Sequence, residues 1–247
     1  MKDLNWPYRG LSNHLQPIAS GHLVVVGGLY MSGKTTLLLN LAYKFALEGG
    51  HVAFFSCSEP SKNLQTRLLR RVFESQLKLE DTKDLPTDEL DELNRSLYEM
   101  KQLTLDIVGL KERSIERTIE VANELNHSRG IEIFIIDDLY LLSGKRKACG
   151  LLKQVGMTLG VSFIVATKLK HSAYRNAGKI PRIKDFEGNG SHFAEADSIM
   201  ILHCPSDHWS SSNGIDEVKI TLSRAGGVDV DLTEVLQFDW SKSVVND

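Results

Sequence analysis

An apolar run ending in paired glycines, LVVVGG at 23–28, leads into LYMSGKTTLLLNLAYKF, and their junction reads Gly28-Leu29-Tyr30-Met31-Ser32-Gly33-Lys34-Thr35. Few patterns constrain a fold as tightly as G-x-x-x-x-G-K-[ST] placed between a strand and a helix. The glycines let successive backbone N–H groups turn inward around a phosphate, and the helix that follows adds the positive end of its dipole. Lys34 is positioned to reach β- and γ-phosphates, and the Thr35 hydroxyl to ligate Mg²⁺. Met31, Ser32 and Thr36 complete the expected phosphate-binding set. The loop therefore calls for ATP with Mg²⁺ as the bound species.

The rest of the chain reads as alternating strands and helices. The helix after the loop places Leu37, Leu38, Leu41, Ala42 and Phe45 at helical spacing and stops at Gly49-Gly50. HVAFFSC (51–57) is the next expected strand, and Pro60 suits the first turn of a helix through Leu64, Leu68 and Val72. Residues 74–92 carry eight acidic residues against Lys78 and Lys83, which reads as a solvated outer surface. Thr87 caps an expected helix with Leu90, Leu93, Leu97 and Met100 on one face.

A further helix is expected from Ser114 to Gly130, then a strand within 131–142, a short helix, and a strand at 161–168. The last third is β-rich, at 198–204, 218–224 and 235–240. This order predicts an α/β fold: a mostly parallel central sheet flanked by helices, with an antiparallel C-terminal edge. Asp137 ends the apolar run 133–136, the place where such phosphate-loop folds put the carboxylate that holds the Mg²⁺ hydration shell.

Composition narrows the setting. The 247 residues are 42% hydrophobic and 25% charged with a formal net charge of −3, so no global positive field draws in nucleic acid. The three widely spaced cysteines fit a reduced compartment, and no run approaches the length of a membrane span. These features predict a cytoplasmic chain with no membrane partner. His203, Cys204 and His208 lack a second ligand pair at metal-binding spacing. No Ser–His–Asp or Cys–His arrangement is present.

Several longer patterns point the same way: FS-x-x-x-P-x-x-x-L-x-x-R-x-L at 55–69, IIDDLYLL at 135–142, D-x-x-x-x-G-S-x-x-x-x-A-D-x-I-M at 185–200 and SRAG at 223–226. Together with the phosphate loop they resemble the ATPase domain of DnaB-type replicative ring helicases, within the RecA-like group, over most of the chain. That resemblance implies a single RecA-like ATPase domain over 1–247, with 1–20 as a short entry segment; the family's amino-terminal collar is expected to be missing. It also implies assembly into a homo-oligomer with ATP between subunits and single-stranded DNA in the centre. Residue by residue, it gives Gly28, Gly33, Lys34, Thr35 and Asp137 nucleotide and Mg²⁺ roles, and makes Arg224 the arginine that reaches a neighbour's γ-phosphate.

Three positions depart from the family pattern. The catalytic glutamate falls on Ser58, with Glu59 one step later; the glutamine that senses the γ-phosphate falls on Lys168; and the lysine two residues before the arginine finger is Leu222. In an extended segment a one-residue shift turns a side chain to the opposite face. Glu59 then serves as the base only if the strand end bulges, and Asp138 is the second candidate. Either predicts slow hydrolysis.

The stretch KLKHSAYRNAGKIPRIK (168–184) has no acidic residue, and Lys170, Arg175, Lys179, Arg182 and Lys184 make it the expected contact for single-stranded DNA, with Tyr174 to stack on a base. Two functions follow as expectations. One is an oligomeric ATPase acting on single-stranded DNA in replication or remodelling, with a replication or recombination protein as partner. The other is a weakly active ATP-dependent switch that binds a protein partner.

Overall fold

The structure is a computed structural model and describes residues 3–73, 87–170, 172–173, 180–203 and 215–247. Its centre is one nine-stranded sheet. In chain order the elements are α1 (Arg9–Ser12), β1 (Leu23–Gly28), α2 (Lys34–Leu47), β2 (Val52–Ser56), α3 (Ser61–Phe73), α4 (Thr87–Gln102) and β3 (Leu105–Gly109). Then come α5 (Ile115–Arg129), β4 (Ile133–Asp137), α6 (Lys145–Leu159), β5 (Ser162–Lys168), β6 (Ser198–His203), β7 (Ile215–Ala225), β8 (Val228–Asp239) and β9 (Val244–Asn246).

The sheet order is β3-β2-β4-β5-β1-β6-β7-β8-β9. The strands from β3 to β6 run parallel, and β7, β8 and β9 add on in antiparallel fashion. The expected fold class is what the chain adopts. Alternation along the strands divides the interior into two cores. Val24, Val26, Phe54, Ile135 and Ile164 face α2 and α3 on one side. Val25, Phe55, Phe134, Phe163 and Ile136 face α5 and α6 on the other. Phe134 stacks between Phe55 and Phe163, with ring centroids 5.7 and 5.5 Å away.

Helix boundaries follow local chemistry. Ser114 caps α5 by accepting from the Arg117 N–H at 3.1 Å, and Gly130, with φ of 64°, ends it in the left-handed conformation that glycine allows.

Some expectations need correction. The helix after Asp137 is not short: α6 has 15 residues. In α4, Leu93 and Ser96 turn inward while Leu90 and Leu97 are exposed, because α4 packs chiefly against α3 and buries a narrow stripe. β3 and β9 lacked a strand signal; each is a short segment on the edge of the sheet. The first 20 residues are part of the core: Leu4, Trp6, Tyr8, Leu11, Leu15 and Ile18 are buried, and Leu4 and Ile18 exchange backbone hydrogen bonds. Cys204, His208 and the acidic residues 74–86 lie outside the described residues.

Candidate nucleotide site

Parallel strands direct their carboxyl ends to one edge of the sheet, and α/β folds bind ligands outside that edge. Here Gly28 ends β1, Asp137 ends β4 and Lys168 ends β5, with Gly28 and Lys168 paired in register. A cavity of about 680 Å³ opens above them, lined by the loop residues Tyr30 to Thr36, by Ser58 and Arg67, by Asp137 and Asp138, and by Lys168, Asp216 and Trp240.

The loop is shaped by its glycines and closed from behind by the C-terminal strands. Gly33 has φ of 87°, and a Cβ there would come within 2.8 Å of both the Phe238 and the Trp240 ring. No larger residue fits without displacing them. Met31 also takes a left-handed conformation, with φ of 60°. Ser32 Oγ is buried with no hydrogen-bond partner among the described residues. A buried hydroxyl left unpaired at a turn of backbone N–H groups is a donor suited to an anion.

Lys34, the first residue of α2, donates to Leu29 O at 2.7 Å and Gly28 O at 3.2 Å, which lays its stem along the loop. Burial lowers its pKa, opposed by the charges of Asp138 and Asp137. The Thr35 hydroxyl donates to Asp137 Oδ2 at 2.6 Å. Burial raises the pKa of Asp137, while Thr35 and Lys34 pull the other way. A hydroxyl oxygen beside a buried carboxylate is a hard-oxygen donor pair, and a divalent cation there would relieve the desolvated charge. The residues present fit Mg²⁺.

The two candidate bases separate clearly. Ser58 lines the cavity, while the Glu59 carboxylate pairs with Arg67 Nη1 at 3.3 Å. Arg67 Nη2 donates in turn to the Thr36 hydroxyl at 2.6 Å, so the guanidinium ties α3 to the first turn of α2. Asp138 follows Asp137 through a cis peptide and lines the cavity itself. Its carboxylate accepts from the Tyr140 N–H at 2.6 Å, and burial, with Asp137 adding to it, pushes its pKa up to about 6. Cys57 next door is buried and its thiol is pushed up to about 12, chiefly by burial, so it stays neutral.

Other expected residues lie away from the cavity. Arg224 on β7 donates from Nε to Asp229 Oδ1 at 2.9 Å and from Nη1 to Ala194 O at 2.7 Å. The basic segment is pinned at its stems: Leu169 bridges Phe186, and Lys170 N donates to Asp185 O at 2.8 Å. The Lys170 ammonium donates to Lys184 O at 3.1 Å, and Arg182 pairs with Asp231 at 3.5 Å. This brings Lys170, Arg182 and Lys184 close together. Tyr174, Arg175 and Lys179 lie outside the described residues.

Sequence reasoning assigned no site role to Arg67, Asp216 or Trp240. Arg67 stood inside the 55–69 pattern, whereas Trp240 gave no signal beyond its place after an expected strand. Its indole Nε1 donates to Asp216 Oδ2 at 2.7 Å, which fixes the ring against the loop. Among the described residues no cluster of three metal-ligating side chains occurs, and no helix is long and apolar enough to cross a membrane.

With this geometry in place, the comparisons with known proteins are specific. The family model described as DnaB-like helicase C terminal domain matches residues 4–241. The replicative DNA helicase DnaB of Helicobacter pylori (strain ATCC 700392 / 26695) is 22% identical over 204 residues, covering 78% of this chain and 42% of the relative. That of Buchnera aphidicola subsp. Baizongia pistaciae is 22% identical over 245 residues, covering 91% and 52%. The chain thus spans about half the length of the curated relatives it matches.

Among solved structures, one ATPase domain superimposes with a TM-score of 0.81 at 19% identity, over 93% of this chain and 86% of that one. A DnaB-like replicative helicase, solved in a study of its interactions with primase, gives 0.86 at 18% identity, over 99% and 62%.

Proposed function

The chain belongs to the family of DnaB-like helicase C-terminal domains, and from that premise we propose that it binds Mg·ATP, hydrolyses it slowly and acts on single-stranded DNA as a homo-oligomer in replication or remodelling. The observation that carries this reading is the Thr35–Asp137 bond beneath the phosphate loop, at the floor of a cavity large enough for a nucleotide. The reading treats 1–247 as one ATPase domain and places it in the cytoplasm.

Each side chain then has work to do. The loop N–H groups and Lys34 bind the phosphates. Thr35 and Asp137 would hold Mg²⁺, which supplies charge neutralisation at the phosphate oxygens when bound. Asp138 faces the cavity and orients the attacking water, taking its proton at a carboxylate oxygen; Glu59, engaged by Arg67, has a positioning role through α3 and Thr36. Arg224, on the far side of the β7–β8 hairpin, serves a neighbour's nucleotide, and Lys170, Arg175, Lys179, Arg182 and Lys184 contact DNA phosphates.

Calorimetry with Mg·ATP, followed by hydrolysis assays with and without single-stranded oligonucleotides, tests the reading. Micromolar binding and DNA-stimulated turnover are expected; absence of heat on adding Mg·ATP refutes it. One observation favours a second reading, an ATP-dependent switch for a protein partner. The residue that faces the cavity beside Asp138 is Ser58, which carries no charge. Tight ATP binding without DNA-stimulated hydrolysis would select the switch.

A further inference from the structure

At one end of the sheet order stands β3, a five-residue strand that pairs with β2 and, among the described residues, with no other strand. Val52 N donates to Thr104 O and Leu110 N donates to Ser56 O, which sets the pairing. In a parallel ladder alternate residues face the neighbour, so Leu105, Ile107 and Gly109 turn their N–H and C=O groups outward. Among the described residues no hydrogen bond reaches these outward groups.

Natural sheets guard such an edge with charge, proline, a bulge or a cover. β3 has no proline, and its register with β2 runs without a shift. Its one charge, Asp106, is engaged by Arg129 of α5. α4 packs chiefly against α3, and a groove of about 680 Å³ lies open between these helices and β3. Leu69 of α3, Leu97 and Met100 of α4, and Leu105 and Ile107 of β3 give it an apolar lining. Lys62, Lys101 and Arg129 stand around it against the single carboxylate of Asp106, which makes the groove locally positive in a chain of net charge −3. Lys62 and Lys101 are exposed and have no ion-pair partner among the described residues. None of these residues lines the nucleotide cavity.

We propose that the β3 edge and this groove form a docking site for an extended segment of another protein in which apolar and acidic residues alternate. The segment's backbone pairs with the outward groups of Leu105, Ile107 and Gly109, adding a strand to the sheet. Its side chains alternate between two faces. Those on one face enter the groove over Leu105 and Ile107, which lie two residues apart on the same side. Acidic side chains meet Arg129, Lys62 and Lys101, whose long stems reach across the rim. A helix in the groove would leave the outward backbone groups unpaired, since its own are already bonded internally. A second copy joined edge to edge would bring two sets of these cations together, which disfavours self-association.

The probe is a labelled, end-blocked peptide of about seven residues, alternating valine and glutamate, added to the nucleotide-free full chain. Fluorescence anisotropy is expected to give binding in the micromolar range. The double variant Lys62→Glu with Lys101→Glu should weaken it at least tenfold while keeping the wild-type urea midpoint and Mg·ATP affinity within about twofold. With wild-type protein, a peptide carrying lysine in place of glutamate should not saturate. Methylating the backbone nitrogens of the valines in one peptide and of the glutamates in another should abolish binding in one and spare the other, because only alternate amides face β3. Hydrogen exchange should slow at the amides of Leu105, Ile107 and Gly109 and stay unchanged at Asp106 and Val108. No binding, equal binding of the lysine peptide, equal loss from both methylated peptides, or an affinity that the double variant leaves unchanged overturns the proposal. Displacement of the peptide by an equal concentration of single-stranded oligonucleotide would give the rim to nucleic acid. Self-association of the free chain that the double variant abolishes would give it to a second copy, and either result also overturns the proposal. Each of these outcomes leaves the reading of the nucleotide cavity untouched.

Discussion

The hydroxyl of Thr35 and the carboxylate of Asp137 meet at 2.6 Å, joining the first turn of α2 to the carboxyl end of β4. The bond gives a buried, desolvated carboxylate a donor and brings two oxygen ligands to one point. Thr35→Val removes the donor and keeps the shape. Leaving Asp137 unsatisfied should cost about 1–3 kcal/mol in urea unfolding of the nucleotide-free protein. It should also erase most of the gain in ATP affinity that Mg²⁺ gives over EDTA. A variant with wild-type stability and Mg²⁺ dependence would remove this pair from the site.

Asp138 gives a pH prediction with a definite sign. Its folded pKa of about 6 lies above the ordinary 3.8, so between these values the folded state binds more protons than the unfolded state. Stability therefore falls as pH rises through that window, and above about 6 the buried charge is a net cost. Asp138→Asn keeps an acceptor for the Tyr140 N–H and removes the charge. It is expected to raise stability at pH 8 by about 1–3 kcal/mol and to flatten the change between pH 4 and 7. If Asp138 is the base, turnover drops by about a hundredfold or more in the same variant, and wild-type turnover declines below pH about 6. Gain of stability without loss of turnover would assign the base elsewhere.

Glu59 supplies the matched control. Its carboxylate is engaged by Arg67 and Ser58 takes the cavity-facing place, so Glu59→Gln should change single-turnover hydrolysis by less than about fivefold. Ser58→Glu instead puts a carboxylate into the cavity and should raise turnover. The opposite pattern, a large loss in Glu59→Gln, would mean that the ion pair opens when nucleotide binds.

What the sequence revealed, and what it hid, follows from range. β1 and α2 were readable because strand, glycine turn, lysine and threonine lie side by side, and the β4 aspartates because an apolar run ends on them. The aim of Ser58 against Glu59 followed from two-residue alternation over a short extended segment. Arg67, Lys168 and Trp240 reach the same cavity only after α3, β5 and β8 have packed, so no local pattern links them to Lys34. Trp240 in particular takes its place from the antiparallel addition of β7 and β8 and from its bond to Asp216. The N-terminal 20 residues lacked periodicity yet are buried, because α1 and the Leu4–Ile18 bridge cover the α2 face of the sheet.

Arg224 holds Asp229 and the carbonyl of Ala194 within its own chain, so a role at a neighbour's nucleotide must show itself through assembly. Arg224→Ala should leave ATP affinity of the monomer within about twofold and abolish the part of turnover that rises with protein concentration. The loss should be about tenfold or more in the assembled state. Arg224→Lys, which keeps the charge but not the planar fork, tests geometry against charge. Turnover that is independent of concentration in wild type would confine Arg224 to bracing the hairpin.

The basic stems at 170 and 182–184 make a prediction about salt. Removing one cation that neutralises a phosphate of single-stranded DNA lowers the slope of log affinity against log salt by about 0.7. Lys184 is exposed, and Arg182 pairs with the exposed Asp231 at 3.5 Å, an ion pair that DNA phosphate can replace. The double variant Arg182→Gln with Lys184→Gln should therefore reduce the slope by about 1.4 in fluorescence anisotropy with a labelled oligonucleotide, without preference for base sequence. Lys170 differs, because its ammonium already holds the Lys184 carbonyl and so shapes the stem. Lys170→Gln should weaken binding with a smaller change in slope. A double variant whose slope matches wild type would place the DNA path on another face.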